Sequence, residues 1–87
     1  MAVTFPSVEA WDGSRDVASF PADKDGTRIR CAISVEALQD SYGGGIGDPL
    51  ICFRSNRPAI EAKAERLILQ GRFEPDGSIL IRSQDGP

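Results

Sequence analysis

The stretch Thr27-Arg28-Ile29-Arg30-Cys31-Ala32-Ile33-Ser34 decides the reading of the fold. Ile29, Cys31 and Ile33 alternate with Arg28, Arg30 and Ala32. A period of two sends the apolar side chains to one face of a strand and the guanidinium groups to the other. Ser34 follows at once, and its hydroxyl is placed to accept from the N–H of Glu36 or Ala37, as an N-cap does. Glu36 suits the positive end of the helix dipole. A short helix is therefore predicted from Val35 to Tyr42, halted by Gly43.

Upstream, Val8–Asp12 and residues 16–20 are predicted as two further strands. The Asp12-Gly13 pair turns the chain between them, with Gly13 expected at positive φ. Pro21 has no N–H to give to a ladder, so the second strand is expected to lie at an edge or to end there. Ala22-Asp23-Lys24-Asp25-Gly26 reads as the next turn. Short turns make these three strands an antiparallel meander. Residues 1–7 carry no periodicity and read as a leading arm, with Phe5 as its anchor to the core.

Downstream, Asp48-Pro49 reads as an N-cap followed by proline at the first helical position. A long helical stretch follows to about Gln70, with Gly71 at the C′ position. Leu50, Phe53, Ile60, Ala64, Leu67 and Ile68 recur at helical spacing. Pro58 interrupts the stretch, because it lacks an N–H and its ring opposes the carbonyl of Arg54. A kink is expected there, or two helices meeting near Asn56 and Arg57. Pro75-Asp76-Gly77 turns into a final strand with Ile79 and Ile81 on one face. Phe73 is expected to begin a short opposing strand, and residues 83–87 to be frayed. Segregated strands and helices make the fold class α+β. The expectation is one two-layer domain over 1–87: a three-stranded antiparallel meander, a short helix, a long helix interrupted at Pro58, and a closing strand or hairpin. One sheet face packs on the helices and the other stays largely open.

Composition excludes several chemistries. The chain has 87 residues, 10 Lys+Arg, 13 Asp+Glu and no His. Without imidazole there is no Ser-His-Asp or Cys-His catalysis and no histidine metal site. Cys31 and Cys52 sit among apolar neighbours and are too few for a disulfide framework or a zinc site, so both are read as core residues. No apolar run approaches the roughly 20 residues that span a bilayer. The first residues lack the basic and apolar regions of a signal peptide, so a cytoplasmic location is expected. A net charge of −3 opposes non-specific binding to duplex DNA.

Other motifs resolve into structural readings. The glycine run before Asp48 lacks the Lys-Ser/Thr pair of a phosphate loop, and Asp48 would repel an anion, so it reads as an interhelical loop. Asp23-Lys24-Asp25-Gly26 resembles half of a calcium loop but lacks its other ligands: Pro21 and Ala32 stand where they would be. Glu61 and Glu65, one turn apart near Lys63 and Arg66, read as a solvated helix face. The arginines, eight of the ten cations, are the most informative set. Arg28, Arg30 and Arg82 are expected on the open sheet face, with Arg54 and Arg57 as further candidate contacts. Arg57 falls close to the apolar stripe between Phe53 and Ile60, where a guanidinium needs a partner. Glu61, one turn on, is placed to supply it and lock the Pro58 junction; the other reading of Arg57 is an anion or partner contact.

Together, Phe5-Pro6, Trp11-Asp12, Phe20-Pro21-Ala22, Cys31-Ala32-Ile33-Ser34, Glu36-Ala37-Leu38, Phe53, Asn56-Arg57, Ile60-Glu61, Ala64 and Asp76-Gly77-Ser78-Ile79-Leu80-Ile81 resemble a small bacterial family of uncharacterised proteins, domain of unknown function 1488. The order and spacing of these pieces, over nearly the whole chain, carry the resemblance. It implies a compact α+β fold with a meander packed against helices, and it implies no activity.

The functional expectation is a cytoplasmic, non-enzymatic module, with no cofactor and no metal, that binds another protein or itself. The alternative is a regulatory module that holds single-stranded nucleic acid or an acidic ligand on the arginine-bearing face. Stacking of bases would require aromatic side chains there, and the strand centres offer none unless Trp11 or Phe20 contributes. An enzyme reading needs Cys31 or Cys52 as nucleophile, which burial opposes.

Overall fold

The computed structural model describes residues 3–43 and 48–83. The glycine run over 44–47, and the tail beyond 83 expected to fray, lie outside the described residues. The meander is present as β2 (Ala10–Asp12), β3 (Val17–Lys24) and β4 (Thr27–Ser34), paired antiparallel in that order. Two strands complete the sheet. β1 (Val3–Thr4) pairs antiparallel with the far end of β3, and β5 (Ile79–Ile81) pairs parallel with the C-terminal half of β4. The closing element is thus a strand, and its parallel sense follows from the crossover through α1 (Val35–Tyr42), α2 (Pro49–Ser55) and α3 (Arg57–Leu69).

Several expectations about strand ends need correction. β3 does not stop at Pro21 but runs on to Lys24, and the turn expected over 22–26 shrinks to Asp25-Gly26. Both residues take positive φ, 52° and 81°, which is the type I′ geometry that a two-residue hairpin favours. Pro21 is tolerated because of where it sits. Ala10 pairs with Ser19 and Thr4 pairs with Asp23, so residues 20–22 have no strand partner on that side of β3. The residues between β1 and β2 loop away over this interval, and a missing N–H costs nothing there. The leading arm, read as lacking structure, contributes β1 and docks Phe5 on Phe20, ring centroids 6.1 Å apart. Gly13 does not supply the positive φ of the first turn; Asp16 does, at 54°. Phe73 lies outside any strand; across the turn the Glu74 N–H donates to the Ser78 carbonyl at 2.7 Å and the Gly77 N–H to the Glu74 carbonyl at 2.8 Å.

The helices obey their sequence signals closely. The Ser34 hydroxyl accepts from Ala37 N–H at 3.1 Å, and the Asp48 carboxylate from Leu50 N–H at 2.9 Å. Pro58 separates two helices rather than kinking one. Asn56 stands between them with φ −118° and ψ 15°, and its side-chain amide donates to the carbonyls of Cys52 and Tyr42 at 2.9 and 3.3 Å. At the end of α3, Gly71 takes φ 70°. Its N–H reaches Ile68 and that of Arg72 reaches Leu67, so two terminal carbonyls are satisfied.

Cross-strand register fixes the two faces. Ala18, Phe20 and Ala22 lie opposite Ile33, Cys31 and Ile29, and Ile79 and Ile81 extend the row from β5. All are buried with Ala37, Leu38, Phe53, Ile60, Ala64, Leu67 and Ile68 of the helices. The opposite face carries Ala10, Ser19, Pro21, Asp23, Arg28, Arg30 and Leu80, together with Val17 and Ala32, which are buried there. The helix residues that reach the core all pack against the first face.

Candidate functional site

The five arginines singled out from sequence do not form one patch. Arg28 stands on the outer face and donates Nε to Asp23 Oδ1 at 2.5 Å, a pair directly across the hairpin. Arg30 stands on the same face, exposed and opposite Pro21, and among the described residues it has no ion pair. Arg82 lies just past β5 and donates to Glu74 Oε1 at 2.7 Å, binding the turn before β5 to the residue after it. Arg54 and Arg57 are drawn to the helix side by Glu9, a residue the sequence reading did not single out.

Arg57 is the most heavily engaged cation. It donates Nε to Glu61 Oε2 and Nη1 to Glu9 Oε1, both at 2.6 Å. Its Nη2 donates to the carbonyls of Pro6 and Val8 at 2.7 and 3.1 Å. The guanidinium also lies over the Phe53 ring, 5.2 Å from its centroid. Only 17% of the side chain is exposed, so it is committed inwardly and offers no surface for an anion. The expected Arg57–Glu61 pair is present, but Glu61 is therefore not part of a solvated face, being 23% exposed. Arg57 also does more than lock the helix junction: it clamps residues 6–9 to α3. Arg54 Nε adds a bond to Glu9 Oε2 at 2.8 Å. Arg54 foremost, and Arg57 with it, hold the Glu9 carboxyl below its ordinary value against the opposing effect of burial.

The clamped segment forms the wall of a groove on the outer face. The groove has a volume of about 310 Å³ and is lined by Val8, Glu9, Ala10, Ser19, Phe20, Pro21, Arg28 and Arg30. It opens over residues 20–22 of β3, where neither β1 nor β2 is paired. Ser19 Oγ donates to the Ala10 carbonyl at 3.3 Å across its floor. Val8 is 55% exposed beside it, an apolar side chain that the fold leaves in water. The alternation of β4 identifies Arg28 and Arg30 from sequence. Val8 and Glu9 carry no comparable signal, because they act across 45 or more residues of chain separation.

Beyond Arg28 and Arg30 lies a second hollow, bordered by Asp76, Gly77 and Ser78. The Asp76 carboxylate accepts from the Ser78 hydroxyl at 2.6 Å and its N–H at 3.0 Å. These bonds hold it below its ordinary value, with a smaller contribution from the charge of Arg15. Among the described residues, Phe20 is the one aromatic residue lining either hollow. Phe20 turns inward to pack on Phe53, ring centroids 5.1 Å apart, and Trp11 pairs with Ala18 on the helix side.

The thiols are placed as core groups to different degrees. Cys31 is fully buried and burial pushes its thiol up to about 12. Cys52 is only half-buried, contrary to expectation, because α2 turns it toward the carbonyls of Leu38 and Tyr42. Its thiol is also raised by burial. Among the described residues, no helix is long and apolar enough to cross a membrane.

Comparison with known proteins gives a consistent result. The family model for DUF1488, described as a protein of unknown function, matches residues 3–81. The uncharacterized protein YrdB of Escherichia coli (strain K12) is 35% identical over 81 residues, spanning 92% of this chain and 95% of that protein. YrdB of Shigella flexneri is 34% identical over the same shares of the two chains. The crystal structure of a DUF1488-family protein of unknown function from Shewanella loihica PV-4 superposes with a TM-score of 0.84 at 29% identity, covering 91% of this chain and 90% of that one.

Proposed function

The chain belongs to the DUF1488 family, and from that premise we propose that it is a non-catalytic module of the bacterial cytoplasm that binds another protein through the outer face of its sheet. The family description names no activity, so the proposal rests on the chain's own geometry. The observation that carries it is the groove at Val8, Ala10, Pro21 and Arg30, on the sheet face that the helices do not cover. An apolar hollow beside exposed cations, on rigid strands, is the makings of a recognition surface. Catalysis by a thiolate is disfavoured, because both thiols are raised rather than lowered. Nucleic-acid binding is the second reading. It is disfavoured because Arg28 and Arg82 are already paired.

Photo-crosslinking in host lysate tests the proposal. A benzophenone side chain at Ala10 captures a protein partner, whereas one at Ala62, on the exposed side of α3, does not. Capture at neither position, or equally at both, sinks the reading. A cross-linked homodimer whose mass rises with concentration in sedimentation would replace it with self-association.

A further inference from the structure

The outer-face groove also indicates what it binds; this rests on the reading of that face as a protein-binding surface. We infer that the groove takes an extended acidic segment of a partner protein, with an apolar side chain seated against Val8, Ala10 and Pro21 and a neighbouring carboxylate held by Arg30. The charge arrangement is the main ground. Four charged side chains surround or line the groove: Glu9, Asp23, Arg28 and Arg30. Glu9 is neutralised by Arg54 and Arg57, at 2.8 and 2.6 Å, and Arg28 by Asp23. Of the groove's two cations Arg30 is the one left without an ion pair, and it stands directly opposite Pro21 on the groove floor. Asp76, across the Arg28–Arg30 ridge, is taken up by Ser78. In a chain of net charge −3, such an uncompensated guanidinium marks the place where an anion is complementary.

Shape and lining narrow the anion's class. The groove volume of about 310 Å³ has room for one or two side chains. Its wall is apolar where a phosphate-rich ligand would need cations, and its one lining ring, Phe20, is buried against Phe53 rather than offered to a nucleobase. It opens over the three residues of β3 that lie between the pairings with β1 and β2, so an entering segment places one or two side chains there rather than adding a strand. A free carboxylate would leave the apolar wall unused, and a neutral apolar peptide would leave Arg30 unanswered.

The test is an NMR titration of the whole ¹⁵N-labelled chain at low salt with four probes. These are a blocked peptide alternating Leu and Glu, its Leu-Gln counterpart, its Gly-Glu counterpart, and a ten-nucleotide oligouridine. The Leu-Glu peptide shifts the amides of Ala10, Ser19 and Arg30. Replacing Glu by Gln, or Leu by Gly, weakens binding by about tenfold or more, the loss expected for one charge-assisted pair or one seated side chain. Arg30→Glu abolishes the shifts, and Arg82→Glu, at the sheet's other edge, preserves them. Equal binding of the Gln peptide, indifference to Arg30→Glu, or shifts confined to another face would each overturn the inference. So would oligouridine shifting these amides where the peptides do not. If cross-linking from Ala10 captures a protein while no peptide binds, the acidic-segment inference fails and the protein-binding reading survives.

Discussion

Arg57 illustrates how one side chain can set the position of a surface it does not reach. Four of its N–H donors are directed to Glu9, Glu61 and the carbonyls of Pro6 and Val8, so it converts an unpatterned stretch into the wall of the groove. Arg57→Ala leaves Glu9 half-paired, Glu61 without this guanidinium and the Val8 carbonyl without this donor, while the Pro6 carbonyl keeps the Val8 N–H, and is expected to lower the denaturation midpoint. Urea denaturation measures the loss, and Arg57→Lys should recover only part of it, because an ammonium cannot reproduce the planar fork. Glu9 gives the same clamp a pH dependence. Its carboxyl titrates below the ordinary value of 4.5 in the folded chain, so the unfolded chain binds the proton first as pH falls. The contribution is fully present above that value and is lost as pH drops through the lower, folded one. Stability measured from pH 6 down to pH 3 should therefore fall less steeply in Glu9→Gln than in the unsubstituted chain. Cys31, with its thiol raised to about 12, should resist thiol reagents until the chain unfolds, while the half-buried Cys52 reacts slowly in the native state.

At the scale of elements, local chemistry was legible wherever a residue acts on its near neighbours. Ser34, Gly43, Asp48, Pro49 and Gly71 mark the helix ends as they stand, since caps and left-handed turns are satisfied within a few residues. The alternation of β4 was legible for the same reason and located Arg28 and Arg30 on the outer face. Pro21 misled because its meaning depends on the far side of β3. It would end a strand paired there, and it is harmless where β1 and β2 leave a gap. The partners of Arg54 and Arg57 on the arm were illegible because nothing in the spacing of residues 6–9 announces a contact across 45 or more positions. The β3–β4 hairpin gives a sharp test at this scale. Gly26 at φ 81° has open space around it, so Gly26→Ala pays only for the left-handed backbone. It should cost about 1 kcal/mol, read as a lowered denaturation midpoint with an unchanged slope.

For the molecule as a whole, the Cα radius of gyration of 12.0 Å agrees with the roughly 12 Å expected of a compact chain of this length. Total stability on that scale is roughly 4–13 kcal/mol. Ile79 and Ile81 are both fully buried, and each truncation to alanine should remove about 2–4 kcal/mol. The double substitution is therefore expected to leave the chain largely unfolded at 25 °C, visible as loss of near-ultraviolet circular dichroism and native proton dispersion.

The placement of β5 has a consequence for how the protein is made. The β2–β3–β4 meander is local and can form as soon as it leaves the ribosome, but β4 then presents an unpaired edge and an uncovered apolar row. That row is sealed only by three helices and by a strand that begins at residue 79. Until that strand emerges, the nascent chain displays Cys31 and Ile33 beside an open edge, the state most prone to pair with a neighbouring chain. The last short strand thus closes the sheet late, and the interval before it pairs is the interval in which the edge of β4 is open to mispairing.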